Sequence, residues 1–148
     1  MSRFFALFIC LVTLCASTES SFAQTDFFRA NIVGSTALET RFDAIAIGNY
    51  HFASNALNTK LTQTRFFVYK TKQETLSRLT DGTISTYTAE DIATSLEYLT
   101  HSMNTYFTNM WAFECTSKAI YQKLATQNLD DAAMFYDQLK AITQNSLL

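Results

Sequence analysis

Apolar residues recur at alternating spacings of four and three along residues 88–124, the most regular pattern in the chain. The row consists of Ile92, Leu96, Leu99, Met103, Tyr106, Met110, Phe113, Ile120 and Leu124, and Ser117 is the only polar residue in it. This heptad-like spacing predicts one long helix that packs along partner helices. Thr88 is the predicted N-cap, because Glu90 and Asp91 place negative charge in the first turn. A straight helix of this length would span about 54 Å, so we expect a kink near Ser117 or an elongated bundle.

The upstream half of the chain carries two more helical patterns. Thr36 and Glu39 form a capping box, and the apolar stripe behind them continues to about residue 61. The stripe includes Gly48 and Asn49 in its middle, where a break is the alternative. Residues 64–71 are aromatic and β-branched and could form a strand. Their side chains are also helically spaced with the apolar residues that follow, which favours a helix.

The remaining elements are a turn and a last helix. Residues 80–83, with the sequence Thr-Asp-Gly-Thr, are the clearest turn in the chain. A helix is predicted from an Asn128 cap, with Asp131 three residues later, to about Gln144. Because the chain has no proline and only three glycines, it lacks the frequent turns of a β-sandwich or barrel. The expected fold is all-α, a small and elongated or kinked bundle of about four helices.

The start of the chain has the organisation of a secretory signal peptide. Arg3 precedes an apolar run over residues 4–15, and the small residues Ser21 and Ala23 lie where signal peptidase accepts them. The run is shorter than the roughly 20 residues that cross a bilayer, so an uncleaved anchor is the weaker alternative. The expected divisions are a signal peptide over residues 1–23, an arm or short helix over residues 24–35, and a helical bundle domain over residues 36–148. We expect cleavage after Ala23 and a secreted or periplasmic protein with no transmembrane segment in the mature chain.

Cleavage would leave Cys115 as the one cysteine of the mature chain, so no internal disulfide is expected. A lone exposed thiol in an oxidising compartment can link two molecules, and Cys115 is therefore a candidate intermolecular disulfide. The formal net charge is −2, and residues 1–23 remove one charge of each sign. No basic stripe is present, so nucleic acid is not an expected partner.

Residues 101–115, HSMNTYFTNMWAFEC, contain the residue types of a metal or haem site. On a helix, however, His101 and Met103 point about 200° apart and cannot bind one metal ion together. His101 and Cys115 share one face but lie about 21 Å apart, too far for a catalytic pair. No nucleophile, zinc or phosphate-binding motif is found elsewhere. The sequence therefore predicts no cofactor, no metal site and no enzymatic activity.

Two aromatic residues of the long helix, Tyr98 and Trp111, fall outside the rows that face the core. One explanation is burial under the N-terminal arm or a third helix. The other is a surface that binds a protein partner, since Trp and Tyr contribute strongly to binding energy at interfaces. Both residues are therefore candidate partner-binding residues.

Two functions from different classes follow from these observations. The first is an exported, non-enzymatic module that binds a protein partner or itself, including through a dimer linked by Cys115. Such a module would belong to the cell envelope, to a secretion assembly or to a surface that faces a host. The alternative is a carrier or inhibitor whose helical bundle holds a small apolar ligand in a cavity.

Overall fold

The computed structural model describes residues 34–145 and is an all-α bundle. Its four helices are α1 (residues 34–44), α2 (Asn55–Thr80), α3 (Thr86–Thr116) and α4 (Ala119–Asn145), and residues 34–145 contain no strand. The predicted fold class is thereby confirmed. The predicted signal peptide and nearly all of the predicted arm lie outside the described residues. Within those residues, no helix has both the length and the apolar composition needed to cross a membrane.

Residues 38–145 belong to one compact unit. This unit contains two apolar clusters that follow each other along α3. The first cluster joins α1 to the beginning of α3 through Phe42, Ile92 and Leu96, which are almost completely buried. The second surrounds Phe52 and Phe107 nearer the end of α3. The predicted helix face therefore supplies the core from Ile92 to Tyr106.

The helix α1 is held on α3 by an arginine. The guanidinium of Arg41 donates to both carboxylate oxygens of Glu97, at 2.6 and 2.8 Å, and to the hydroxyl of Thr94 at 2.8 Å. The hydrogen bond from Arg41 holds the pKa of Glu97 below its ordinary value. Glu97 of α3 is therefore paired with a cation of α1.

An irregular segment, residues 45–54, connects α1 to α2 and lies across α3. The side chain of Asn104 accepts from the backbone N–H of Gly48 at 2.8 Å and donates to the carbonyl of Ala46 at 3.0 Å. A Cβ at Gly48 would lie 2.9 Å from the ring of Tyr50, so the close approach of that ring requires glycine here. The helical stripe predicted from Thr36 to about residue 61 is interrupted, because α1 ends at residue 44 and regular helix resumes only at Asn55. Gly48 lies inside this interruption.

Two further predictions for α2 are confirmed. Residues 64–71 are helical and form the middle of α2. The turn at residues 80–83 ends the helix: Gly82 adopts a φ of 72°, its N–H donates to Leu79, and the N–H of Thr83 donates to Arg78. This pair of bonds is the Schellman arrangement, in which glycine accepts the left-handed conformation without steric cost.

The long helix predicted through Leu124 is wrong, because the chain reverses where only a kink was expected. α3 ends at Thr116, and Ser117 adopts a left-handed conformation with a φ of 54°. The apolar pattern is interrupted only at Ser117 itself and keeps its phase on both sides, so one polar residue is its only mark of the turn. Ile120 and Leu124, predicted to extend the core face of that helix, are instead 53% and 38% exposed near the beginning of α4.

The predicted helix starts are also corrected. Ser85 caps α3, since its hydroxyl accepts from the N–H of Thr88 at 3.0 Å, so Thr88 lies inside the first turn. Asn128 lies in the middle of α4 and does not begin it. Its side chain accepts a hydrogen bond at 2.9 Å from Asn109 of α3 and so joins the two helices.

Candidate functional site

An open groove lies between α2 and α4. Both helices pack on α3, yet no Cα atom of α2 lies within 8 Å of a Cα atom of α4. Residues from the middle of α2 and of α4 line one end of the groove, and residues nearer their C-terminal ends line the other. The two helices therefore run in the same direction, with α3 antiparallel beneath them.

The groove remains open because α4 presents few large side chains at this place. The residues that α4 buries are Ala125, Ala132 and Leu139, seven positions apart. Two of the three are alanines, which let α4 approach α3 closely but do not reach across to α2. On the side that faces the groove, α2 carries the short side chains of Thr64, Thr71 and Thr75.

The wider end of the groove is an apolar chamber of about 520 Å³. Its lining residues are Gln63, Thr64, Phe67, Leu99, Met103, Leu129, Ala132, Ala133 and Tyr136. Leu99 and Met103 come from α3 and are almost completely buried. Because α3 is the central helix, these two side chains form the floor beneath α2 and α4. Pockets for small molecules occupy about 300–1,000 Å³ and are mostly apolar, so the chamber has the size and chemistry of a ligand site.

An aromatic pair divides the groove. The rings of Phe67 on α2 and Tyr136 on α4 lie 5.4 Å apart at 54°, and both side chains line the chambers on either side of them. Tyr136 is about half exposed, so the pair lies at the mouth of the groove. The two chambers are therefore neighbouring parts of one groove, separated by side chains and not by backbone.

The second part of the groove is a charged chamber of about 310 Å³. Its lining residues are Phe67, Thr71, Glu74, Thr75, Arg78, Tyr136, Leu139, Lys140, Thr143 and Gln144. It contains two cations, Arg78 and Lys140, against one carboxylate. That carboxylate, Glu74, lies 3.5 Å from the ammonium group of Lys70 outside the chamber. Lys140, in contrast, forms no ion pair within residues 34–145, so its charge is not compensated there.

The hydroxyls of the charged chamber are already used as donors. Thr75 donates to the carbonyl of Thr71, and Thr143 donates to the carbonyls of Leu139 and Lys140. A polar group in this chamber would consequently find its donors on Lys140 and Gln144. Glu97 and Tyr106, whose burial raises its pKa, line neither chamber.

The candidate partner-binding residues lie on different faces of α3. Tyr98 is 54% exposed, and its ring stacks on Phe135 of α4 at 5.1 Å. Trp111 is 52% exposed. The two positions are separated by about 20 Å along the helix axis and about 140° around it. They do not form one continuous patch on α3, and each would have to contact a partner separately.

The other residues singled out from the sequence are placed individually. Cys115 is a free, exposed cysteine, one turn after Trp111 on α3. His51 and His101 are exposed, whereas Met103 is buried. Residues 34–145 contain no group of three or more His, Cys, Asp or Glu side chains placed to hold a metal ion.

Comparison of the chain with protein-family models, with curated protein sequences and with solved structures finds no match.

The groove itself was not found from the sequence. The one signal that points to it is the repeat of Ala125 and Ala132 on α4, where a regular core would place larger side chains. Lys140 and Arg78 gave no signal, because isolated cations on a helix are ordinary surface residues. They come together only when α2 and α4 are placed side by side.

Proposed function

We propose that this chain is an exported, non-enzymatic protein that binds a small apolar molecule in the groove between α2 and α4. The single observation that supports the proposal is the 520 Å³ chamber floored by Leu99 and Met103. Open apolar surface of this kind is costly in water, and an apolar ligand would remove it from solvent. The export part of the proposal is supported by the charged, apolar and small-residue pattern of residues 1–23.

A titration with Nile red, an uncharged dye that fluoresces in apolar surroundings, tests this function. Ala133 lines the apolar chamber from α4 and is exposed, so Ala133→Trp places an indole in the chamber without changing the core. We expect saturable binding of one dye molecule to the native chain, and affinity lower by roughly tenfold or more in the variant.

The matched control is Ala141→Trp, the same change at an exposed position of α4 outside both chambers. This variant is expected to bind Nile red like the native chain. Equal dye affinity of Ala133→Trp and Ala141→Trp, with both variants folded, would show that the dye does not enter the groove and would contradict the proposal.

A second candidate function, self-association through α3, is favoured by one observation. Trp111 and Cys115 are both exposed and lie one helical turn apart, so an aromatic contact and a disulfide could form in the same interface. We expect non-reducing electrophoresis of the mature chain to show a dimer that Cys115→Ser abolishes. Trp111→Ala should slow dimer formation without changing the midpoint of unfolding. A chain that remains monomeric after oxidation would rule this candidate out.

A further inference from the structure

The charges of the groove are unevenly distributed along its length. The apolar chamber is lined by no ionisable group except the phenol of Tyr136. The charged chamber beyond Phe67 and Tyr136 carries Arg78, Lys140 and Glu74. A ligand that occupies both chambers would therefore be apolar at one end and polar at the other.

The uncompensated charge of that chamber is the ammonium group of Lys140, which forms no ion pair within residues 34–145. Glu74 is the single carboxylate, and it lies within 3.5 Å of Lys70. Arg78 lies in the last turn of α2, where a cation also offsets the negative end of the helix dipole. Lys140 lies one and a half turns before the end of α4, outside the part of the helix where the dipole acts strongly. The ammonium group of Lys140 is consequently the cation best placed to bind a ligand anion.

We propose that the ligand is an anionic amphiphile, a long-chain carboxylate whose alkyl chain lies over Leu99 and Met103 and whose head group binds Lys140. The inference rests on the proposed function and adds the chemical class of the ligand. Leu129, at the far end of the apolar chamber, and Lys140 are separated by about 16 Å along α4, which sets the length of the chain. Laurate, dodecanol and dodecylamine have the same number of carbon atoms and differ only in the head group. A comparison of their affinities therefore measures the contribution of the head group.

The experiment measures how well each of the three compounds displaces Nile red from the native chain and from Lys140→Gln. We expect laurate to bind about three- to fivefold more tightly than dodecanol, because a partly exposed ion pair with Lys140 increases the affinity by about this factor. In Lys140→Gln this preference should disappear while the affinity for dodecanol stays the same. Raising the salt concentration should weaken laurate binding selectively, because exposed charges are screened.

Two variants serve as controls. Lys123→Gln removes a cation of α4 outside both chambers and should leave the preference intact. Lys140→Arg retains the charge and should restore the preference for laurate. If laurate and dodecanol bind equally, or dodecylamine binds most tightly, the inference is overturned while the proposed function stands. If Nile red itself does not bind in the groove, the proposed function fails and the inference fails with it.

Discussion

Replacing Phe107 by alanine is expected to lower the free energy of unfolding by about 3–5 kcal/mol, the cost of removing a fully buried aromatic side chain. Phe107 has no exposed surface. Its ring centroid lies 5.2–5.8 Å from those of Tyr106, Tyr50 and Phe52. The cavity would open at the point where the segment of residues 45–54 meets α3, so little of it can be refilled by small movements.

A urea titration measures this loss, provided that the slope of the free energy against urea concentration is unchanged. Phe66→Ala is the matched control, because Phe66 is 66% exposed on α2 and its loss should change stability by no more than about 0.5 kcal/mol. If the two alanine variants were equally stable, Phe107 would not lie in the core.

Replacing Asn104 by alanine should lower the free energy of unfolding by about 2 kcal/mol, because two backbone groups would lose their partner. Its amide satisfies the N–H of Gly48 and the carbonyl of Ala46, neither of which lies in a helix. The carbonyl of Asn104 also accepts from the hydroxyl of Tyr50 at 3.0 Å, and the substitution leaves this bond in place. The loss should therefore be confined to residues 46–48.

Hydrogen exchange of the Gly48 amide, followed by NMR, checks this prediction locally. In Asn104→Ala the amide should exchange much faster, whereas amides in the middle of α2 should change only with global stability. Asn109→Ala is the control: it breaks one side-chain bond to Asn128 and leaves no backbone group unsatisfied. An unchanged exchange rate at Gly48 would mean that Asn104 does not hold the segment in place.

The sequence predicts the helical core of this protein because that core depends on local spacing. The row from Ile92 to Tyr106 lies on one face of a helix wherever the partner helices lie, and this face is buried as expected. The break at Gly48 and the turn at Gly82 were likewise predictable from glycine, which marks close approach in one case and positive φ in the other.

The reversal at Ser117 could not be predicted in the same way. A serine in the left-handed conformation has no strong sequence signature, and the apolar spacing happens to remain in phase across the turn. Because the prediction joined α3 and α4 into one long helix, it did not show that these two helices pack against each other. The groove forms only between α2 and the returning α4, so the prediction of one long helix could not show the groove either.

The candidate site illustrates a second limit of sequence reasoning. Tyr98 and Trp111 were selected because they fall outside the core rows of the helix and because Trp and Tyr contribute strongly at interfaces, and both are about half exposed. The groove depends instead on side chains that are small, such as Ala132 and Ala133, and on the distance between two helices. Small side chains at a few positions indicate a groove only when the positions of the neighbouring helices are known.

Methionine methyl NMR tests the central claim most directly, namely that the α2–α4 groove binds apolar molecules. Met103 lies on the floor of the apolar chamber, whereas Met134 is half exposed on α4 and lines neither chamber. On addition of Nile red, the aromatic dye should shift the methyl signal of Met103 and leave that of Met134 in place. A Met103 signal that does not move while the dye is bound would contradict the account.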